Sequence, residues 1–190
     1  MNKVIGVLAL QGAYQKHVES LDRLGVESRL VRKSNELVTC DGLIIPGGES
    51  TTMSLMISES GMYQPLCEFA RSKAVMGVCA GMIMMAETVD DTRVTPLGIL
   101  PFRALRNHYG RQVHSFTADI QLAFDTSGKP LHAHFIRAPG ITDIGEGIEI
   151  LASYHNEIVM IGNGRHVALS FHPELTADTR VHEYWLQKFD

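Results

Sequence analysis

Residues 4–10 are almost continuously apolar, the pattern of a strand that a parallel sheet buries on both faces. Gln11-Gly12 ends the run. Tyr14, Val18 and Leu21 then recur at helical spacing until Gly25, and residues 26–31 predict the next strand. Strand, helix, strand in that rhythm implies a right-handed crossover and an open α/β sheet. A third strand at 42–45 runs into Pro46-Gly47-Gly48-Glu49-Ser50-Thr51-Thr52, and a helical pattern follows over 62–72, with Pro65 tolerable in its first turn. Another apolar run enters Gly77, and a helix-compatible one leaves Gly81. Beyond Ala86 the character changes. Pro96, Gly98 and Pro101 break the pattern, and Phe116, Ala118, Ile120 and Leu122 then alternate with Thr117, Asp119 and Gln121 as a half-buried strand does. A turn at 125–130 leads to strands at 131–138, 148–154 and 158–161, and Gly162-Asn163-Gly164 predicts a hairpin into 165–171. The closing pattern, 176–189, puts Val181, Trp185 and Phe189 on one helical face as core packing. The expectation is an α/β fold: a single-domain, open, mixed and mostly parallel sheet with helices on both faces, residues 1–190 forming one domain.

Composition narrows the function classes. A chain of 190 residues with 45% hydrophobic and 20% charged residues suits one soluble globular domain that buries roughly 70% of its unfolded surface. Seventeen basic against 21 acidic residues give a net charge of −4, which offers no basic surplus for nucleic acid or an anionic membrane. Three cysteines without C-x-x-C spacing fit neither a disulfide framework nor a zinc knuckle, and suggest a reducing, cytoplasmic setting. Met1-Asn2-Lys3 leads directly into the first strand, so no signal peptide is expected, and no apolar run reaches membrane-spanning length. The first turn lacks G-x-G-x-x-G, which argues against a dinucleotide site. His132 and His134 share a strand face, but two ligands without a third are usually incidental, and no metal is expected.

The candidate chemistry centres on Gly77-Val78-Cys79-Ala80-Gly81. A cysteine in G-x-C-x-G between an apolar strand and a helix has the pattern of a nucleophile elbow, whose small neighbours permit strained backbone angles and whose turn raises the sulfur above the sheet edge. Free cysteines are more often small buried hydrophobes, the reading that suits Cys40 and Cys67. The Pro46-to-Thr52 loop lacks the lysine of a phosphate-binding loop. It suits either a tight turn with a helix cap or an oxyanion-donor loop at the ligand-binding edge of the sheet. A base appears near the other end of the chain: His172 follows a strand, Pro173 stiffens the turn, and Glu174 is spaced to orient the imidazole. A cysteine phosphatase is excluded, because Met85 stands where the phosphate-gripping arginine belongs. The methionines after Cys79 read as pliable core filling.

Six stretches together resemble the class I (triad) glutamine amidotransferases, and within them the glutaminase subunits of pyridoxal 5'-phosphate synthase. They are Gly6-Val7-Leu8-Ala9-Leu10-Gln11-Gly12, Pro46 to Thr52, Cys79-Ala80-Gly81, Arg106-Asn107 with Gly110-Arg111-Gln112, Phe135-Ile136-Arg137-Ala138-Pro139, and His172-Pro173-Glu174-Leu175. Val78 stands where threonine is expected, and Lys16 where glutamate is expected before His17. The resemblance implies a flavodoxin-like glutaminase domain that hydrolyses L-glutamine to glutamate and ammonia with Cys79 as nucleophile, His172 as base and Glu174 as its orienting carboxylate. It further implies that Gly47, Gly48, Glu49, Arg106, Ile136 and Arg137 surround the glutamine, with Arg106 on its α-carboxylate and Ile136 and Arg137 contributing backbone. The oxyanion would be held by backbone N–H groups of Ala80 and the Gly47-Gly48 turn. It implies a synthase subunit as protein partner, with Gln11, Gly12 and His17 near the contact surface, and no cofactor. A stress-response or glyoxalase-like cysteine hydrolase, or a non-catalytic regulatory module, remains as an alternative.

Overall fold

The computed structural model describes residues 3–106, 108 and 115–189. In chain order the elements are β1 (Val4–Leu8), α1 (Tyr14–Arg23), β2 (Glu27–Val31), α2 (Ser34–Leu37), β3 (Gly42–Ile45), α3 (Ser50–Glu59), α4 (Tyr63–Ser72), β4 (Ala74–Val78), α5 (Ala80–Met85) and β5 (Ala86–Val89). They continue with β6 (Leu100–Leu105), β7 (Ser115–Ile120), β8 (Leu131–Ile136), β9 (Gly140–Thr142), β10 (Glu149–Tyr154), β11 (Glu157–Gly162), β12 (Val167–Leu169) and α6 (Arg180–Leu186). Seven strands form the central sheet in the order β10-β11-β12-β4-β3-β1-β2. The five strands from β12 to β2 are parallel, and β11 and β10 extend the sheet antiparallel, so it is open and mixed as expected.

The pleat divides the core between the two faces, since neighbouring side chains on a strand point to opposite sides. Leu43 and Ile45 of β3 join Met53 and Ile57 of α3, Leu66 of α4 and the methionines of α5 on one side. Ile44, with Met76 and Val78 of β4, meets Leu21 of α1 and Val181 and Trp185 of α6 on the other. Met82, Met84 and Met85 are fully buried, consistent with a filling role. Among the described residues, no helix is long and apolar enough to cross a membrane.

Three expectations need correction. Strands of the second half do not all extend the central sheet: β5, β6 and β9 form a three-stranded sheet, and β7 pairs with β8 alone. The pattern at 176–189 is helical only over Arg180–Leu186. Pro173–Leu175 forms a 3-10 turn, Thr176 is extended, and the Arg180 side chain then holds Asp178, Asp125 and the carbonyls of Lys129 and Pro130. Helix α3 went unforeseen because its sequence, STTMSLMISE, carries little contrast between its faces. It starts there because Glu49 accepts hydrogen bonds from the backbone N–H groups of Thr51 and Thr52.

Candidate active site

Cys79 sits between β4 and α5 at φ 51°, ψ −104°, a left-handed conformation that a residue bearing a Cβ adopts at a cost of roughly 1–3 kcal/mol. The flanking glycines explain how the surroundings hold it there. A Cβ on Gly77 would strike the Met85 sulfur, and one on Gly81 would collide with the Ile45 carbonyl, so α5 can press onto β3 and β4 only when both positions are bare. The Cys79 N–H donates to the Leu169 carbonyl at 2.8 Å, and Ile83 N–H returns to the Cys79 carbonyl at 3.1 Å. Cys79 is 7% exposed, and its sulfur lies 3.8 Å from the Ile136 carbonyl.

Parallel pairing brings the base to the same edge. Leu169 of β12 is in register with Val78 of β4, so the chain leaving β12 emerges beside the elbow. His172 is anchored by its backbone N–H to the His134 carbonyl at 2.8 Å. Its Nδ1 lies 2.7 Å from Glu174 Oε1, and the same imidazole lines one cavity with Cys79. Burial alone would push the His172 pKa down, but the hydrogen bonds with Cys79 and Glu174 outweigh it and push it up to about 10. Glu174 is 2% exposed. Burial would raise its pKa, yet the facing histidines, His17 first, hold it below the usual carboxylate range. Cys79, His172 and Glu174 are therefore brought together from two distant parts of the chain. Cys40 and Cys67 lie elsewhere, their thiols pushed up by burial, as the core-filling reading expects.

The elbow opens onto a cavity of about 260 Å³. Of the residues implied to surround substrate, Gly47, Gly48, Glu49, Arg106, Ile136 and Arg137 all line it, as do Cys79, Ala80 and His172. Gly47 is bare for a reason of contact, since a Cβ there would strike the His172 ring. The loop is clamped from the first turn of the chain. Ala13 N–H donates to the Gly47 carbonyl at 3.0 Å, while the Gln11 amide accepts from Glu49 N–H and donates to the Glu49 carbonyl. Glu49 does double duty. Its carboxylate caps α3 and is also paired at 2.9 Å with Arg106, whose other amino group is bound by Asp91. Partial burial works against ionisation of Glu49, but hydrogen bonds from Thr51 and Thr52 win and bring its pKa to about 2. Arg137 takes a positive φ of 44° beside the cavity, as a residue presenting backbone to a ligand can.

One placement contradicts expectation. His17 was expected near a partner surface, but its side chain is fully buried beneath α1, facing Glu174. Its helical position after Lys16 turns it inward, so it offers no surface contact. Gln11 is half-buried and Gly12 exposed. Asn107, Gly110, Arg111 and Gln112 lie outside the described residues. Sequence reasoning missed Ala13, Ser50 and Ile83 in the cavity wall and Asp91 beside Arg106. Ala13 and Ile83 carry no chemical signal, and Asp91 is brought to Arg106 only by the pairing of β5 with β6. Among the described residues, no group of three or more metal-ligating side chains is assembled.

Comparison with known proteins agrees with this geometry. Residues 7–190 match the model of the SNO glutamine amidotransferase family. The chain is 43% identical over 187 residues to the pyridoxal 5'-phosphate synthase subunit PdxT of Oenococcus oeni, covering 98% of this chain and 97% of that one. It is 44% identical over 188 residues to the subunit of the same name from Corynebacterium jeikeium, covering 97% and 95%. A crystal structure described as a glutamine amidotransferase superposes with a TM-score of 0.90 at 41% identity, covering 97% of each chain.

Proposed function

The chain belongs to the SNO glutamine amidotransferase family, and on that premise we propose that it is the glutaminase subunit of a pyridoxal 5'-phosphate synthase, with Cys79, His172 and Glu174 as its catalytic triad. The observation that carries this reading is an imidazole held at 2.7 Å by a buried carboxylate and sharing, with the elbow cysteine, the wall of a cavity sized for a small molecule. In this mechanism His172 holds, as imidazolium, the proton given up by Cys79, and the thiolate attacks the side-chain amide carbon of glutamine. Backbone N–H groups of Ala80 and the Gly47-Gly48 turn stabilise the tetrahedral oxyanion, a contribution of roughly 3 kcal/mol per donor. The C–N bond breaks as His172 returns the proton to the leaving nitrogen, releasing ammonia. Water, deprotonated by the same imidazole, then attacks the glutamyl thioester, giving glutamate and the free thiol. Glu174 keeps the ring oriented and stabilises its charged form.

Glu49, Ile136 and Arg137 complete the substrate site, and Arg106 takes the α-carboxylate. A guanidinium carries five N–H donors, so the pairs with Glu49 and Asp91 leave it capacity for a third carboxylate. Arg106→Gln is expected to raise KM for glutamine roughly tenfold to a hundredfold with a smaller change in kcat, as loss of a charge-assisted hydrogen bond should. Steady-state kinetics with glutamine checks this, and an unchanged KM would remove Arg106 from substrate binding.

The ammonia goes to the synthase subunit, which builds pyridoxal 5'-phosphate. Gln11 and Gly12 lie near the contact surface in this reading. Residues 1–190 act as one glutaminase domain, a view supported by the two apolar layers that share one central sheet. Three free thiols support work in the reducing cytoplasm. The deciding experiment is ammonia release from glutamine with and without the synthase subunit, with asparagine as control. Slow release that accelerates severalfold on adding the subunit is expected. No release in either condition would overturn the glutaminase reading, and equally fast release in both would overturn the dependence on the partner.

A further inference from the structure

The line of polar groups through the site does not stop at Glu174. On the far side of that carboxylate, His17 Nε2 from α1 lies 3.7 Å from Glu174 Oε2, with both side chains fully buried. Neither atom has a hydrogen-bond partner among the described residues, and the gap between them is slightly longer than a hydrogen bond. His17 Nδ1 in turn lies 3.2 Å from Nε2 of His182 on α6, and His182 is also fully buried. First and last helices thus converge behind the triad.

Donor and acceptor rules fix the polarity of this line. An ionised carboxylate only accepts, so the proton facing Glu174 Oε1 must sit on His172 Nδ1, and any favourable contact at Oε2 requires a proton on His17 Nε2. The opposite His17 tautomer would aim a lone pair at an anion in a place that water does not reach. Burial drives both His17 and His182 towards the neutral form, which allows each ring a single proton. With the His17 proton on Nε2, Nδ1 must accept, and His182 Nε2–H must donate.

We propose that His17 is a positioning residue of the glutaminase reaction: its Nε2–H holds the Glu174 carboxylate, through it the His172 ring, and His182 locks His17 in the tautomer that does so. The inference rests on the glutaminase reading above. It gives α1 a role behind the catalytic pair that its burial explains and a surface contact does not. Partners one step removed from reacting groups typically cost about 10–100-fold when deleted, and the lower end suits a 3.7 Å contact.

Two measurements test it. Nitrogen-15 NMR of the full chain with labelled histidine should find the His17 proton on Nε2 at neutral pH. A proton on Nδ1, alone or together with one on Nε2, overturns the proposal whatever the variants do. In the complex with the synthase subunit, His17→Leu should lower kcat about tenfold with KM for glutamine unchanged. His17→Gln, whose amide nitrogen can stand near the Nε2 position, should restore most of the loss. Equal kcat in wild type and His17→Leu, or equal loss in both variants, overturns the positioning role. A wild-type complex that releases no ammonia would instead sink the underlying glutaminase reading, leaving the tautomer to be judged by NMR. Should His17→Leu fail to fold, the tautomer measurement decides.

Discussion

Cys79→Ala is expected to lower ammonia release from glutamine by at least about 10⁴-fold in the presence of the synthase subunit, while the chain keeps its fold. The size of the effect follows from the covalent route, because an alanine methyl cannot form the thioester and the described residues of the cavity wall include no second nucleophile of comparable strength. Cys40 packs in the core behind the sheet, and Cys67 on α4 donates to the Leu97 carbonyl; neither lines the cavity. The fold should survive because alanine retains the Cβ already tolerated at φ 51°, the Leu169 hydrogen bond uses only backbone, and the methyl fits wherever the thiol did. Ammonia release and a thermal melt followed by circular dichroism check both halves. Activity within tenfold of wild type would end the case for a thiol nucleophile. Loss of folding would show that the elbow needs its sulfur for structure.

Much of this site is legible in the sequence because it depends on backbone geometry that only certain residues permit. Gly77 and Gly81 announce a close approach of α5 to β3 and β4, and the collisions that a Cβ would suffer there give the reason. His172-Pro173-Glu174 is local, so its pairing can be read from spacing. The parallel order of strands then brings it beside Cys79, because β12 and β4 end together. What the sequence conceals is contact made across the chain by residues with ordinary neighbours. His17 and His182 are 165 positions apart, and each stands in a helix where an inward histidine and an outward one look alike. Asp91 reaches Arg106 only through a strand pairing in a side sheet that periodicity does not specify. Helix α3 is hidden for a related reason. Its start depends on a cap from Glu49, and its buried serines blur the apolar stripe.

Acidification from pH 7 to pH 5 is expected to destabilise the chain by on the order of 3 kcal/mol, a large part of the roughly 5–15 kcal/mol typical of a domain. Three buried histidines carry the effect. Burial holds the pKa of His166 at about 4 and of His182 at about 3, and lowers that of His17 despite the attraction of Glu174. Each ring is neutral when folded and regains an ordinary value near 6.5 when unfolded, so below pH 6.5 the unfolded chain binds more protons. The contribution is complete above pH 6.5 and is lost as pH falls towards the folded values, by about 2 kcal/mol each for His166 and His182 over this interval, with His17 acting in the same direction. His172 offsets a small part of this, by roughly 1 kcal/mol, mostly between pH 7 and pH 6. Its folded pKa is raised to about 10, so its contribution is complete below pH 6.5 and fades as pH rises towards 10. The lowered carboxylates, such as Glu49, add their loss at still lower pH. Urea unfolding at pH 7, 6 and 5 should give a slope of at least about two protons towards pH 5, and His166→Asn should reduce it by about one. That variant is apt because the Asn oxygen can replace Nδ1 as acceptor of the Val75 N–H. Stability that is flat over this range would mean these rings already carry protons when folded, or can reach water. Since His17 and His182 stand directly behind Glu174, the transition that charges them also dismantles the setting of the catalytic pair, and activity should be lost along with the fold on the acid side.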